Sequence, residues 1–222
     1  MSYRIVVVSA GLNIPSSTGI LADQITASVE SKMRRADESV EFTQIELREL
    51  GKDIMSAMLS GGMKSSALLT AERALAVADA VVAVTPVFSA SYSGLFKSFF
   101  DVLEMGTLRG KPVLLGATAG TARHSLVVDT AMRPLFAYLG ALTLPTAIMA
   151  ASADFGSAEA GEAHVDSLAD RIERAATELV TQLRPGTGHR NVAVNEAGDS
   201  QSLAEFADFE GSMSSFAGML GR

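Results

Sequence analysis

Residues 3–18 read Tyr3-Arg4-Ile5-Val6-Val7-Val8-Ser9-Ala10-Gly11-Leu12-Asn13-Ile14-Pro15-Ser16-Ser17-Thr18. The apolar, β-branched run Tyr3–Val8 is typical of a strand that is buried on both faces of a sheet. The segment Ser9–Ser17 that follows is a turn region. Beyond it, apolar residues recur at helical spacing at Ile20, Leu21, Ile25, Val29 and Met33. A buried strand, a turn and an amphipathic helix in this order predict the start of a parallel βαβ unit.

The same alternation continues along the chain. Strands are predicted at Tyr3–Val8, Val40–Leu47, Ala80–Thr85, Pro112–Ala117 and Leu142–Ala150, the third closed by Pro86 and the fifth interrupted by Pro145. Helices are predicted at residues 20–35, Ala67–Ala78, Leu95–Met105, Ser125–Leu139 and Gly161–Leu183, with a kink at Pro134. Five strands alternating with five helices predict an α/β fold with a parallel sheet. In such sheets ligands bind beyond the carboxyl ends of the strands.

The composition excludes several classes of protein. The chain has 222 residues, 48% of them hydrophobic, which suits one domain with a sizeable core. It has no cysteine, so disulfides and cysteine-bound metals are excluded, and its three scattered histidines do not predict a metal site. The net charge of −7 argues against a nucleic-acid partner.

The hydrophobic runs are short. None approaches the roughly 18 residues that a membrane span needs, so no membrane partner is predicted. The run Ile5–Val8 is also too short for a signal peptide. A cytoplasmic location is therefore expected.

The chain is predicted to divide into a domain of residues 1–184 and a tail of residues 185–222. The tail is rich in Gly, Ser and acidic residues, which is typical of a flexible segment. It also carries apolar residues that could dock on a neighbouring subunit: Phe206, Phe209, Phe216, Met219 and Leu220. Both interpretations stay open.

The turn after the first strand is a candidate phosphate site. It combines Gly11 with the hydroxyl groups of Ser9, Ser16, Ser17 and Thr18, directly before a helix. Helix N-termini present free N–H groups and the positive end of the helix dipole, which together attract anions. The alternative is a simple helix cap, for which one hydroxyl is enough. The chain contains no G-x-G-x-x-G dinucleotide motif. The stretch Gly61–Ser66 lacks P-loop spacing and is interpreted as a connection.

The loop after the third strand is more informative. It reads Thr85-Pro86-Val87-Phe88-Ser89-Ala90-Ser91-Tyr92-Ser93-Gly94, an aromatic and small polar stretch that leads into a helix. A flat heteroaromatic ring needs such a loop, because backbone groups pair with its edge and apolar surface covers its face.

These residues resemble the NADPH-dependent FMN reductase family, and especially the FMN reductases of two-component monooxygenase systems. The family loop reads Pro-Val-Tyr-Lys-Ala-Ser-[Phe/Tyr]-Ser-Gly, and here Phe88 and Ser89 replace its Tyr and Lys. The resemblance continues after the fourth strand, at Gly120-Thr121, His124, Val128-Asp129 and Arg133-Pro134. It covers residues 3–183 and implies a flavodoxin-like three-layer sandwich with a five-stranded parallel sheet in the order 2-1-3-4-5.

The resemblance also implies the site residues. The FMN phosphate is expected at Ser9, Ser16, Ser17 and Thr18. The flavin ring is expected against Pro86, Val87, Phe88, Ser89, Ser91 and Tyr92, with Thr118, Gly120 and Thr121 at its other edge. His124 either borders the nicotinamide or forms a structural hydrogen bond, and Asp129 is interpreted as a structural partner on its helix. His164 and His189 are expected to be solvated. No side chain is assigned as a catalytic acid or base, because the flavin carries the chemistry.

The predicted activity is that of an NAD(P)H:FMN oxidoreductase, with hydride passing from nicotinamide C4 to flavin N5. NADPH or NADH is the reductant, and the reduced FMN is expected to supply a partner monooxygenase. The alternatives are a quinone or azo reductase with bound FMN, a flavodoxin-type electron carrier, and a flavin-binding scaffold without activity. The resemblance further implies a homodimer or homotetramer.

Overall fold

The structure is a computed structural model that describes residues 2–155 and 166–184. Within these residues the strands are β1 (Ser2–Ser9), β2 (Ser39–Glu46), β3 (Ala80–Phe88), β4 (Ser91–Tyr92), β5 (Pro112–Ala119), β6 (Leu142–Thr143) and β7 (Ile148–Ala151). The helices are α1 (Ser17–Arg35), α2 (Leu47–Leu59), α3 (Ser66–Val77), α4 (Gly94–Asp101), α5 (Arg133–Tyr138) and α6 (Leu168–Leu183). The tail of residues 185–222, with His189, and the stretch around His164 lie outside the described residues.

The strands form one mainly parallel sheet with the order β2-β1-β3-β5, and both β6 and β7 pair with β5. The segments β6 and β7 are the predicted fifth strand, divided around Pro145. The predicted order 2-1-3-4-5 is therefore confirmed, and it is the order of flavodoxin-like folds. The short strand β4 is an addition that pairs antiparallel with β3.

Helices cover both faces of the sheet, which gives three layers. Alternate residues of β1 point to opposite faces, so Val6 and Val8 enter one core while Ile5 and Val7 enter the other. The first core contains the apolar faces of α2, α3, α4 and α5, including a cluster of Phe96, Phe99, Phe100 and Phe136. The second core contains α1 and α6. This double burial explains why the strands are continuously apolar.

Helix α2 was not predicted, although the sequence carries a signal for it. The buried residues Leu47, Ile54 and Ala57, with Leu50 packed beside them, recur at helical spacing. The predicted strand Val40–Leu47 therefore ends one residue earlier, at Glu46, and two helices rather than one separate β2 from β3. The stretch Gly61–Ser66 connects α2 to α3, as interpreted, and Ser65 caps α3 by accepting a hydrogen bond from the Leu68 N–H.

The predicted helix Ser125–Leu139 is wrong in its form. The chain makes a 3-10 turn at Ala122–His124 and a π-helical turn at Val128–Met132, and only Arg133–Tyr138 is α-helical. Pro134 has no N–H to donate to the preceding turn, so a regular α-helix cannot run through it, whereas the first turn of a helix tolerates proline. The backbone nevertheless stays helical from Val127 through Met132 into Arg133, so the π-helical turn joins directly to α5. The kink at Pro134 stays a prediction.

Three of the larger differences in element boundaries concern β3, α4 and α6. Strand β3 continues to Phe88, because Pro86 pairs with Thr118 of β5, and Val87 and Phe88 pair with β4. Helix α4 ends at Asp101 rather than Met105, and the Glu104 N–H is bound by the Glu72 carboxylate at 2.6 Å. Helix α6 begins at Leu168, after a capping box formed by Ser167 and Asp170. Residues 161–165 of the predicted last helix lie outside the described residues.

Candidate functional site

Three connections meet at the carboxyl edge of the sheet. The pairing of the strands aligns Ser9 with Glu46 and with Val84, and it aligns Pro86 with Thr118. The loop after β1, the turn between β3 and β4, and the loop after β5 therefore leave the sheet side by side. Every predicted site residue belongs to one of these connections or to the strand and helix ends beside them.

The loop after β1 leads into the N-terminus of α1. Its residues Leu12, Asn13, Ile14 and Pro15 are exposed, and the Ile14–Pro15 peptide bond is cis. Ser16 is the N-cap of α1 and accepts a hydrogen bond from the Gly19 N–H at 3.4 Å, as the simple capping interpretation expects. Ser17 is exposed, and the first turn of α1 contains no acidic residue. The positive end of the helix dipole is therefore open to an anion.

Gly11 has a steric reason for being glycine. A Cβ atom at this position would lie 2.1 Å from Ser16 Oγ and 2.9 Å from Ser16 Cβ. Rotation of the Ser16 hydroxyl would remove only the first of these contacts, because the Cβ atom stays in place. The close approach of Gly11 to Ser16 fixes the narrow path of the loop around the helix N-terminus.

Two threonines join the first loop to the third. Thr18 Oγ1 and Thr118 Oγ1 lie 2.8 Å apart, and both side chains are buried. This hydrogen bond uses one of the two hydroxyl protons and links α1 to the end of β5. Thr18 is therefore directed toward β5, beneath the exposed surface on which Ser17 lies.

Ser9 is fully buried at the end of β1, where its hydroxyl lies near the Glu46 carboxyl but makes no hydrogen bond of normal geometry among the described residues. Buried polar atoms are normally well paired, so this hydroxyl has the capacity to bind a closer partner. The Ser9 side chain is closed to solvent, so a ligand reaches this hydroxyl only if the surrounding chain shifts. Ser16 and Ser17, in contrast, are partly or fully accessible.

The end of β2 contributes two charged residues that the sequence analysis did not include. Glu46 is the register partner of Ser9, and burial raises the pKa of its carboxyl group against the opposing effect of Arg48. Arg48 Nη1 donates a hydrogen bond to the carbonyl oxygen of Asn13 at 3.2 Å. Strand order places the end of β2 beside the end of β1, so it could have indicated this segment, but not which of its side chains contacts the loop.

The connection after β3 is a tight hairpin. Phe88 pairs with Ser91, and the two residues between them, Ser89 and Ala90, both have positive φ, at 49° and 65°. Two central residues with positive φ characterise a type I′ turn, whose twist matches that of the strands. Phe88 is 47% exposed at the start of this turn, so its ring is available to a ligand.

Buried hydrogen bonds hold the base of this hairpin. The Ser93 N–H donates to Thr85 Oγ1 at 3.1 Å, and Ser93 Oγ accepts from the Phe96 N–H at 3.2 Å, which caps α4. Tyr92 is half-buried and its ring lies 6.0 Å from that of Phe96. The hairpin is thus fixed to both β3 and α4.

Strand β5 ends just beyond the buried Thr118, and the loop after it contains the exposed Gly120 and Thr121. His124 is half-buried in the 3-10 turn that follows. Asp129 accepts a hydrogen bond from Arg133 Nε at 2.7 Å, which confirms the interpretation of Asp129 as a structural partner on its helix. Arg133 also donates to the Leu144 and Pro145 carbonyl oxygens, so it ties this segment to the end of β6.

The described residues fit FMN on two grounds. The open helix N-terminus and the buried Ser9 hydroxyl beside it suit a phosphate. The hairpin offers backbone groups and the exposed face of Phe88 to a flat ring. Within residues 2–155 and 166–184, no group of three or more acidic or histidine side chains is arranged to hold a metal ion.

Comparison with known proteins agrees with this geometry. The family model described as NADPH-dependent FMN reductase matches residues 3–156. An FMN reductase (NADPH) of Pseudomonas aeruginosa is 34% identical over 153 residues, which are 69% of this chain and 79% of that protein. The NADH-dependent FMN reductase SfnE of Pseudomonas putida is 35% identical over 177 residues, 80% of this chain and 90% of that protein.

A solved structure extends the similarity to three dimensions. An oxidoreductase from Corynebacterium diphtheriae is 43% identical and superposes with a TM-score of 0.76, covering 82% of this chain and 97% of that one. The chain belongs to the NADPH-dependent FMN reductase family.

Proposed function

We propose that this chain, as an NAD(P)H-dependent FMN reductase, binds FMN across the three connections at the carboxyl edge of the sheet and supplies the reduced flavin to a partner monooxygenase. The observation that carries the proposal is the position of the open α1 N-terminus beside the β3–β4 hairpin. A phosphate site and a surface for a flat ring therefore lie next to each other.

The phosphate end of FMN would be held by the loop after β1. The accessible donors are the first N–H groups of α1 and the hydroxyls of Ser16 and Ser17. Ser9 and Thr18 lie beneath them, and Thr18 keeps its hydrogen bond to Thr118. In this arrangement Thr18 supports the loop, while Ser9 gains a closer partner when the loop adjusts to the ligand.

The ring end would lie between the hairpin and the loop after β5. The residues that would line it are Pro86, Val87, Phe88, Ser89, Ser91 and Tyr92 on one side, and Thr118, Gly120 and Thr121 on the other. These stretches carry no Asp, Glu, Lys, Arg or His. They would orient the ring through backbone groups and exclude water through apolar surface.

Bound FMN would supply the chemistry as acceptor of a hydride from the reduced nicotinamide, so no acid or base would be required from the protein. The chain's own contribution would be to hold the two rings close together in a fixed orientation, which lowers the entropic part of the barrier. His124, half-buried just beyond Thr121, would border the nicotinamide at the open side of the site.

We also propose that FMN exchanges with solvent between turnovers. The support is exposure, because residues 12–15 and Phe88 lie on the surface around the site. Exchange is what a reductase needs if it supplies a separate monooxygenase.

The test is oxidation of NADPH and NADH by the purified protein with and without added FMN, followed by ultrafiltration. Turnover that rises with added FMN, with flavin passing the filter, is the expected result. Retained flavin with turnover only after addition of a quinone or azo dye would favour a bound-flavin reductase. Retained flavin without nicotinamide oxidation would favour an electron carrier and contradict the proposal.

The homodimer or homotetramer and the cytoplasmic location remain proposals. A groove of about 680 Å³ with a mixed lining, which includes Phe100 and Leu135 as well as Lys97 and Asp101, lies between α4 and α5. Met105 and Tyr138, which also line it, are each 83% exposed. Exposed apolar surface of this kind is typical of protein contacts. Sedimentation velocity of the wild type and of Tyr138→Lys tests this surface, and a monomeric wild type would contradict it.

Among the described helices, none has the length and apolar character of a membrane span.

A further inference from the structure

We infer that Arg48 is part of the FMN phosphate site, where it both holds the loop after β1 and presents a positive charge to the phosphate. Arg48 is the second residue of α2, immediately beyond the end of β2. Because Glu46 is the register partner of Ser9, this helix start lies next to the loop. The inference rests on the proposed phosphate site and adds a residue from a different segment of the chain to it.

Arg48 contacts the loop where the loop has little packing of its own. Residues 12–15 are four consecutive exposed positions, and Leu12 and Ile14 are 50% and 81% exposed. Arg48 Nη1 donates to the Asn13 carbonyl oxygen at 3.2 Å across 35 positions of sequence. This hydrogen bond links the middle of the exposed stretch to the start of α2.

The guanidinium group keeps donors for a ligand. It has five N–H groups, of which the Asn13 contact uses one. Its ion pair with Glu49 is long, at 3.9 Å, and the Glu49 side chain is 72% exposed, so this pair neutralises the charge weakly. The guanidinium also interacts electrostatically with the Glu46 carboxyl, so a phosphate would share the charge with that group. Arginine donors suit phosphate oxygens because hydrogen bonds between charged groups are shorter and stronger than neutral ones.

The Arg48 charge also supplies what the loop after β1 lacks, namely a positively charged side chain. Residues 9–18 contain no Lys or Arg, and the first turn of α1 contributes only partial charge through its N–H groups. A phosphate monoester carries between one and two negative charges near neutral pH. The full positive charge of Arg48 would therefore complement the partial charges of the loop. Its contribution to FMN affinity should depend on the phosphate and not on the flavin ring.

FMN and riboflavin differ only in that phosphate, so they separate a role at the phosphate from a general effect on the flavin site. The experiment titrates the flavin-free full-length chain with FMN and with riboflavin, by quenching of flavin fluorescence at several salt concentrations. The variants are Arg48→Gln, which removes the charge, and Arg48→Lys, which keeps it. The control is Arg35→Gln, which changes the charge equally at the far end of α1, about 27 Å from its first residue.

We expect Arg48→Gln to weaken FMN binding about tenfold, to leave riboflavin binding unchanged and to flatten the salt dependence. Arg48→Lys should retain the salt dependence of FMN binding because it keeps the charge. It should lose less FMN affinity than Arg48→Gln, and the remaining loss reflects the planar fork that lysine lacks. Arg35→Gln should match the wild type for both flavins. Circular dichroism of each variant verifies that it is folded.

Two outcomes would overturn the inference. One is wild-type FMN affinity in Arg48→Gln, and the other is an equal loss for FMN and riboflavin, which would assign Arg48 a purely structural role. Failure of the phosphate site itself would be recognised in the wild type. If the wild type bound FMN no more tightly than riboflavin, the proposed mode of FMN binding would be contradicted, whatever the Arg48 variants did.

Discussion

Single residues at the carboxyl edge carry the most direct predictions, and Gly11 is the first. A Cβ atom there would overlap Ser16, at 2.1 Å from Oγ and 2.9 Å from Cβ, so the loop must move. We expect Gly11→Ala to weaken FMN binding about tenfold, as overpacking at a tight site does. FMN fluorescence quenching measures the change.

Gly19 provides a matched control for Gly11. It lies in the first turn of α1, also near Ser16, but a Cβ atom at Gly19 would meet nothing closer than Ser16 Cβ at 3.9 Å. Gly19→Ala should therefore change FMN affinity by no more than about twofold. Equal effects of the two substitutions would contradict the steric argument.

The buried pair of Thr18 and Thr118 gives a prediction on stability. Replacing either by valine leaves the other hydroxyl buried without its partner, which should lower the free energy of unfolding by about 1–3 kcal/mol. Replacing both removes the pair together, so the double variant should lose clearly less than the sum of the single losses. Urea unfolding of the three variants tests this, and strictly additive losses would show that the two hydroxyls do not interact.

Glu46 gives a prediction on pH dependence. Burial raises the pKa of its carboxyl group above the ordinary value of 4.5, so the folded chain holds this proton more tightly than the unfolded chain. Stability from this group is therefore complete below pH 4.5 and is lost as pH rises through the raised pKa.

Glu46→Gln removes this titration. The variant should gain stability relative to the wild type as pH rises from 4 to 7, measured as the difference in free energy of unfolding at each pH. A difference that does not change with pH would show that the Glu46 carboxyl has the same pKa in both states.

At the scale of elements, the β3–β4 hairpin stands out because two non-glycine residues adopt positive φ. Ala90, at 65°, is in a conformation that costs an ordinary residue about 1–2 kcal/mol and costs glycine almost nothing. We expect Ala90→Gly to raise the free energy of unfolding by up to about 1 kcal/mol. The measurement is urea unfolding.

The same substitution in a helix should have the opposite sign. Ala27 is exposed in the middle of α1, where glycine costs about 0.5–1 kcal/mol relative to alanine. If Ala90→Gly destabilises the protein as much as Ala27→Gly does, the turn is not strained. The conformation of the hairpin would then be determined by its contacts with neighbouring elements rather than by the backbone preferences of Ser89 and Ala90.

Some helices and strands could be predicted from local sequence patterns and others could not. The strands β1, β3 and β5 were predictable because burial on both faces makes them continuously apolar. Helix α2 was missed because its first buried residue, Leu47, follows the alternating strand β2 without a turn signal. The π-helical turn before Pro134 depends on backbone hydrogen bonds that side-chain periodicity does not report.

At the scale of the whole molecule, the parallel sheet made most of the candidate site predictable. Ser9, Pro86 and Thr118 lie far apart in sequence, yet parallel strands bring their carboxyl ends to one edge. Arg48 was not predictable in this way, because its role depends on a 3.2 Å contact between α2 and a loop 35 residues earlier. Strand order predicts which segments are neighbours, but not which side chain crosses between them.

The central claim is that FMN binds with its phosphate at the N-terminus of α1 and its ring at the β3–β4 hairpin. A crystal structure of the protein with FMN tests it most directly. We predict phosphate oxygens about 3 Å from the hydroxyls or N–H groups of Ser16 and Ser17, and the ring against Phe88 and the loop after β5. A phosphate bound elsewhere, or a ring away from the hairpin, would contradict the account.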